Sequence, residues 1–233
     1  MYIVEGNIGA GKSTFLRLVA HHLPHIEVIP EPVASWQQPI NGESILANFF
    51  QDTPRWAFTF ETLTMMCRVK EHLIQQGKGS VRILERSIYS GHYCFAQNGH
   101  KQKFMTELEW EIYNQWFNFL IPDKCRPPLG FIYLRTEPDI AHQRIKQRNR
   151  SEEEGVPLEY LQQIHDRHEE FLIKKEGVLP NLKEVPVLAL NCNEDFEQTP
   201  ENLESHFHEI AQFIGDTTAR KKNQDAEIVA LQA

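Results

Sequence analysis

Basic excess is missing from this sequence. Its 233 residues carry 24 lysines and arginines against 32 aspartates and glutamates, a formal net charge of -8. A nucleic-acid-binding surface needs a concentrated basic patch, so no nucleic-acid partner is expected. A locally basic site for a small anion stays compatible with that sum. Cysteine is scarce, with only Cys67, Cys94, Cys125 and Cys192 and no C-x-x-C pair. They read as reduced, buried thiols of a cytoplasmic protein. No apolar run reaches transmembrane length, so no membrane partner is expected. The first strand-like run, Tyr2-Ile3-Val4, leaves no room before it for a signal or transit peptide. Internal repeats and low-complexity tracts are absent too.

What is present is an ordinary globular composition, 41% hydrophobic and 24% charged. Short apolar runs alternate with longer amphipathic ones, the pattern of an α/β fold whose parallel sheet is covered by helices. Strands are predicted at 2–5, 26–30, 82–85, 130–134 and 186–190. Helices are predicted over 12–23, 43–50, 54–76, 88–97, 106–121, 137–148, 157–175 and 201–214. Pro54 and Pro157 suit helix first turns, and Gly77-Lys78-Gly79 reads as a helix stop. One domain over 1–216 is expected, followed by a polar, mobile tail at 217–233.

The strongest motif is Gly6-Asn7-Ile8-Gly9-Ala10-Gly11-Lys12-Ser13, followed by Thr14. It fits G-x-x-x-x-G-K-[ST], with a strand before it and a helix after it. Backbone N–H groups in such a loop cradle phosphates, Lys12 reaches the β and γ phosphates, and Ser13 holds magnesium. The loop alone does not choose between a small-molecule kinase, a GTPase and an ATPase.

Two further strand ends carry acids. Glu31 follows the strand at 26–30, where a carboxylate can accept a proton from an attacking hydroxyl. Glu85 and Arg86 end the strand at 82–85. Glu85 is placed for magnesium, and Arg86 to steady Glu31 and the transferred phosphoryl group. Further on, Arg144 and Arg148 share a helix face, and Arg150 precedes the acidic turn Ser151-Glu152-Glu153-Glu154-Gly155. Such an arginine segment suits a mobile lid over a transferring phosphate.

Together these residues resemble the deoxynucleoside kinase family, the group of deoxycytidine, deoxyguanosine and mitochondrial thymidine kinases and the broad insect enzyme. The resemblance rests on E-G-N-I-G-A-G-K-S-T at 5–14, E-P-V-A-S-W at 31–36, R-W-A-F-T-F-E at 55–61 and L-E-R-S-I-Y-S-G-H-Y-C-F at 84–95. R-N-R-S-E-E-E-G-V-P-L-E-Y-L at 148–161 and V-P-V-L-A-L-N-C-N-E-D-F at 185–196 complete it. It implies a P-loop kinase fold with a five-stranded parallel sheet, flanking helices and an arginine-rich lid. The reaction it implies is phosphorylation of a deoxynucleoside 5′-hydroxyl by ATP and Mg2+. Glu31 would then be the general base, with Lys12 and Arg86 catalytic. Trp36, Phe60 and Phe95 would line and stack on the nucleobase. Glu153 would hold the sugar 3′-hydroxyl. Arg144, Arg148 and Arg150 would form the lid, and Glu194-Asp195-Phe196 would surround the adenine. A homodimer is also implied, with the aromatic helix 106–121 as an interface.

The chain departs from the family's pattern in places. Glu61 stands where the family has a base-reading glutamine, and Phe50 stands where it tends to have a tyrosine near the 3′-hydroxyl. Gly91 falls where deoxycytidine and deoxyguanosine kinases carry aspartate, whereas Arg68 matches those same enzymes. An ionised carboxylate offers acceptors only. Glu61 therefore favours bases that present N–H groups, thymine or guanine, and a small residue at 91 leaves room for the thymine methyl. Arg68, seven residues on, can pair with Glu61 and keep it ionised or pull it off the base, and a raised pKa can leave Glu61 protonated.

A nucleoside monophosphate kinase such as thymidylate kinase shares the loop and lid. It needs basic residues for its acceptor's phosphate, however, where this chain offers Glu31, Glu61 and Glu153. A non-catalytic guanine-nucleotide switch needs N-K-x-D, which the sequence lacks. His165 and His168 are read as a solvated helix face rather than a metal site. Trp110, Tyr113, Trp116 and Phe117 are read as core or dimer contacts.

Overall fold

The structure, a computed structural model, describes residues 1–33, 36, 41–75, 81–150, 155–194, 196 and 200–231. Its centre is β1, Tyr2–Glu5, buried at every position. Only a parallel strand covered on both faces accommodates such an unbroken run. The other strands are β2 (Ile26–Ile29), β3 (Val81–Glu85), β4 (Phe131–Arg135) and β5 (Val187–Asn191), in the order β2-β3-β1-β4-β5. All pairings are parallel, with Val4 opposite Glu85 and Ile132, and Ile29 opposite Leu84. The carboxyl ends of β1, β2 and β3 therefore align at one edge, where an open α/β sheet places its ligands.

Helix α1 (Lys12–His22) follows the glycine loop. Then come α2 (Ile45–Gln51), α3 (Thr53–Gln75), α4 (Ile88–Ser90 continuing through a π-helical turn Gly91–Ala96 into Gln97–Lys101) and α5 (Glu107–Lys124). After β4 come α6 (Pro138–Arg148), α7 (Leu158–His168 with a π-helical turn Glu169–Lys174), the short α8 (Pro180–Lys183) and, after β5, α9 (Pro200–Leu231). Side chains alternate across the sheet. Ile3, Leu84, Phe131 and Tyr133 join Met65, Tyr89 and Phe117 from α3, α4 and α5 in one core. Tyr2, Val4, Ile83, Ile132 and Leu134 join Phe15, Val19, Phe207 and Ile210 from α1 and α9 in a second.

Five strands and eight helices lie where the sequence pattern predicts them, with ends shifted by a few residues. Three expectations need correction. The helix predicted to stop at 214 continues to Leu231, through the segment read as a tail. Thr217 is buried there, its hydroxyl 2.7 Å from that of Tyr2. His165 and His168 are buried rather than solvated; His168 stacks on Tyr133, and burial pulls its pKa down to about 3. Pro157 is the residue before α7 rather than in its first turn. The predicted stop at 77–79 lies outside the described residues. The four cysteines are free thiols, three buried and Cys67 half-buried.

Candidate active site

The glycine loop turns tightly enough to face its backbone inward. Gly9 and Gly11 have φ of +78° and +86°, and a Cβ on Gly9 would come within 2.3 Å of the Ala141 carbonyl oxygen. Only glycine holds both positions without strain. The loop is tied to α7 by Asn7 Nδ2, which donates to the Leu161 carbonyl at 2.8 Å. Lys12 folds back and donates to the carbonyls of Gly6 and Asn7, at 3.1 and 2.8 Å. Burial, reinforced by the Arg86 charge, pulls its pKa down to about 7.

Ser13, next on α1, donates its hydroxyl to Glu85 Oε1 at 2.8 Å. One hydroxyl and one carboxylate beside a phosphate loop form a hard oxygen set suited to magnesium, which takes most of its shell from water and phosphates.

The chain leaves β3 through Arg86, whose φ is +63°. That left-handed turn, uncommon outside glycine, is held by a backbone hydrogen bond from Arg86 N to the Val4 carbonyl at 2.9 Å. It swings the guanidinium back over the loop. There Nη1 donates to the Gly6 carbonyl at 3.0 Å and Nε meets Glu31 Oε2 at 3.2 Å. Ser87 then caps α4 and donates to the fully buried Glu5.

Glu31 is clamped from two sides. Arg68 Nη2, from α3, reaches its Oε1 at 2.7 Å, while Arg86 holds the other oxygen. Burial pushes the carboxyl up, but Arg86 and Arg68 outweigh it and hold it below its ordinary value. Glu31 is thus an ionised carboxylate at neutral pH despite being nearly buried. Its backbone N–H faces Glu85 Oε2 at 3.4 Å.

One cavity of about 290 Å³ collects these groups. Ile8, Gly9, Gly11, Lys12, Ser13 and Thr14 of the glycine loop and α1 line it together with Glu31, Glu85 and Arg86. Trp36, Phe50, Phe60, Glu61, Arg68, Phe95, Arg148 and Arg150 share the same lining. Gly91 borders it through Arg68: a Cβ there would lie 2.6 Å from Arg68 Nη1. The room expected beside Gly91 for a thymine methyl is therefore taken by a guanidinium. Arg68 is held on Glu31, not on Glu61. Glu61 is 5% exposed, and burial pushes its carboxyl up to about 7 against the pull of Arg68.

Arg144 stands apart from its two companions. Its guanidinium donates to the carbonyls of Cys192, Asn193 and Glu194 at 2.8, 3.2 and 2.8 Å. It braces the loop after β5. Phe196 packs its ring on Gly11 and Phe15, so this loop lies against the glycine loop. Glu153 and Asp195 lie outside the described residues. Sequence reasoning gave no role to Tyr160, which lines the cavity beside Phe50 and supplies a hydroxyl on that wall. Its signal was the E-Y-L of the quoted 148–161 stretch. The Arg68–Glu31 pair was missed as well, because α3 and β2 meet only in the fold.

A phosphate loop joined to a clamped carboxylate and an aromatic pocket in one cavity defines a phosphate-loop kinase that acts on a small molecule. The family model "Deoxynucleoside kinase" matches residues 2–215. The chain belongs to that family and is a phosphotransferase of the deoxynucleoside kinase type. It is 36% identical over 236 residues to Deoxycytidine kinase 2 of Gallus gallus, covering 91% of this chain and 89% of that one. To the mitochondrial Deoxyguanosine kinase of Xenopus laevis it is 37% identical over 217 residues, covering 83% and 82%. To the mitochondrial Thymidine kinase 2 of Macaca fascicularis it is 37% identical over 195 residues, covering 84% and 71%. These relatives are named for three different bases, so similarity leaves the base open.

Proposed function

We propose that the protein transfers the γ-phosphoryl group of ATP to the 5′-hydroxyl of a deoxyribonucleoside, with Mg2+, in nucleotide salvage. The observation that carries this is the shared cavity: Glu31 lines it with the phosphate loop and the aromatic residues, and is paired with Arg86, which holds Gly6, and with Arg68, which lies over Trp36 and Phe95. A nucleobase stacked among Trp36, Phe60 and Phe95 points its sugar towards Glu31. The ionised carboxylate accepts the 5′-hydroxyl proton as that oxygen approaches phosphorus. Lys12 and Arg86 stabilise the charge on the transferring group, and Arg148 and Arg150 close over it. Ser13 and Glu85 would hold the cation, which would supply charge neutralisation on the phosphates. Glu194, Asp195 and Phe196 form the adenine side, with Arg144 holding the Glu194 carbonyl, and Glu153 with Tyr160 serves the sugar. Glu61 tilts base choice towards thymidine or deoxyguanosine.

A coupled turnover assay with ATP and magnesium tests this, offering the four deoxynucleosides and thymidine monophosphate separately. Turnover of a nucleoside is expected. Turnover of the monophosphate alone would make this a nucleotide kinase and Glu31 a misassigned base.

The reading extends to a homodimer. Leu108, Ile112 and Trp116 recur every four residues on α5 and are 70%, 36% and 50% exposed, with Phe119 beside them at 60%. Such an apolar helix face suits an isologous contact. Light scattering is expected to give twice the chain mass, and a monomer for Trp116→Glu.

A further inference from the structure

The base-reading corner holds an unusual combination of groups. Arg68 is 9% exposed, and only Nη2 has a hydrogen-bond partner. Its Nε and Nη1 are buried without one, among the described residues. Buried N–H groups without acceptors are rare and costly. The guanidinium lies over the Trp36 and Phe95 rings, 5.3 and 6.0 Å from their centroids. It thus borders the aromatic slot, on the side where Gly91 lacks a side chain. Seven residues earlier on the same helix, Glu61 presents a carboxylate to the same cavity.

Resting on the kinase reading above, we infer that this corner is built for guanine, with Glu61 accepting from the base N1–H and 2-amino group while Arg68 donates to O6. Each base sets its own pattern of donors and acceptors against that pair. Guanine offers two adjacent N–H donors, matching both oxygens of one carboxylate, beside a carbonyl acceptor for the arginine. Thymine offers one N3–H flanked by two carbonyls, so one carboxylate oxygen would face a carbonyl. Above pH 7, where the Glu61 carboxyl is ionised, cytosine N3 and adenine N1 are acceptors that would face the carboxylate with no hydrogen between. Their amino groups would face Arg68, which has only donors. The pocket therefore rejects both by mismatch at two points.

Comparing deoxyguanosine with deoxyinosine isolates the second contact. Deoxyinosine keeps O6 and N1–H and lacks only the 2-amino group. A hydrogen bond to a charged group is worth roughly a ten- to hundredfold factor.

The experiment measures kcat/KM of the wild-type protein with ATP-Mg at pH 8.5, where Glu61 is ionised, for deoxyguanosine, deoxyinosine, thymidine, deoxycytidine and deoxyadenosine. Deoxyguanosine is expected first, with deoxyinosine about tenfold or more below it through KM. Glu61→Gln is expected to lower deoxyguanosine and raise deoxycytidine. Thymidine or deoxycytidine ranking first, or deoxyinosine equalling deoxyguanosine in the wild type, overturns the inference and leaves the kinase reading standing. Turnover of monophosphates only overturns both. The wild-type comparison decides the question even if the variant fails to fold.

Discussion

Replacing Glu61 with glutamine is expected to stabilise the free protein at neutral and alkaline pH, with the size of the gain set by burial. The carboxyl is pushed from 4.5 to about 7 in the fold, whereas in the unfolded chain it titrates as an ordinary glutamate. Between those values the folded protein keeps a proton that the unfolded chain has released. Stability therefore falls as pH rises through that window and levels off above 7. At 1.36 kcal/mol per pH unit the full cost is on the order of 3 kcal/mol, and at pH 5.5 it is about 1.4 kcal/mol. Glutamine has the same shape and never ionises. The charged neighbours of Glu61 are Arg68, Arg86 and Glu31, and Arg68 keeps Glu31 as its partner in the variant. For a chain of this length each kcal/mol moves Tm by about 2–4 °C. Thermal unfolding of both proteins at pH 5.5 and 8.5 is thus expected to show a gap of about 6–12 °C at pH 8.5 and less than half of that at pH 5.5. Saturating deoxyguanosine should narrow the gap at pH 8.5. Equal Tm values at pH 8.5, or a less stable variant there, would refute the argument, because Glu61 would then ionise at no cost.

Other consequences are open to measurement. Glu31→Gln is expected to lower kcat by about 10²–10⁴-fold, with affinity for a non-hydrolysable ATP analogue unchanged by calorimetry. A loss below tenfold would remove Glu31 as the base. Lys12, pulled to about 7 by burial, is largely neutral at pH 8 in the free protein and charged beside phosphates. Binding of the same analogue at pH 8 should take up close to one proton, read from calorimetry in buffers of different ionisation enthalpy. No uptake would show that Lys12 is already charged. Arg144→Ala removes three hydrogen bonds to the loop at Cys192, Asn193 and Glu194. It is expected to raise the ATP KM about tenfold and leave the nucleoside KM alone.

Much of this was legible in the sequence, because its signals are local. An apolar run ending in a glycine loop and a helix start is complete within residues 2–13, and the acids at 31 and 85 stand just past and at the ends of their strands. The extent of α9 was not legible. Residues 219–227 are exposed and mostly polar, with a Lys221–Asp225 pair at 2.9 Å, and lack the apolar stripe by which helices are recognised. The histidines were misread for a different reason. Polarity suggests solvent, but His168 lies on the inner face of α7, its Nδ1 2.7 Å from the Ile164 carbonyl. The π-helical turns shift the helical phase and leave no mark in composition. The reading of Gly91 failed because its neighbour comes from another helix. A missing side chain signals space, and only the fold shows what fills it.

The two arginines on Glu31 differ in what they can transmit. Arg86 is fixed by its own turn, by Gly6 and by the Val4 carbonyl, so its hold on the carboxylate does not depend on the substrate. Arg68 meets Glu31 through Nη2 and, among the described residues, leaves Nε and Nη1 buried without a partner, Nη1 next to Gly91. A base with a well-placed acceptor draws on a guanidinium that, after Arg86, helps keep Glu31 ionised. A base without one leaves that guanidinium unsatisfied or pulls it away. With Glu31 as the proposed general base, base identity therefore reaches it through a single shared side chain. Mismatched nucleosides should lose kcat as well as affinity, which a pocket that merely excluded them would not produce.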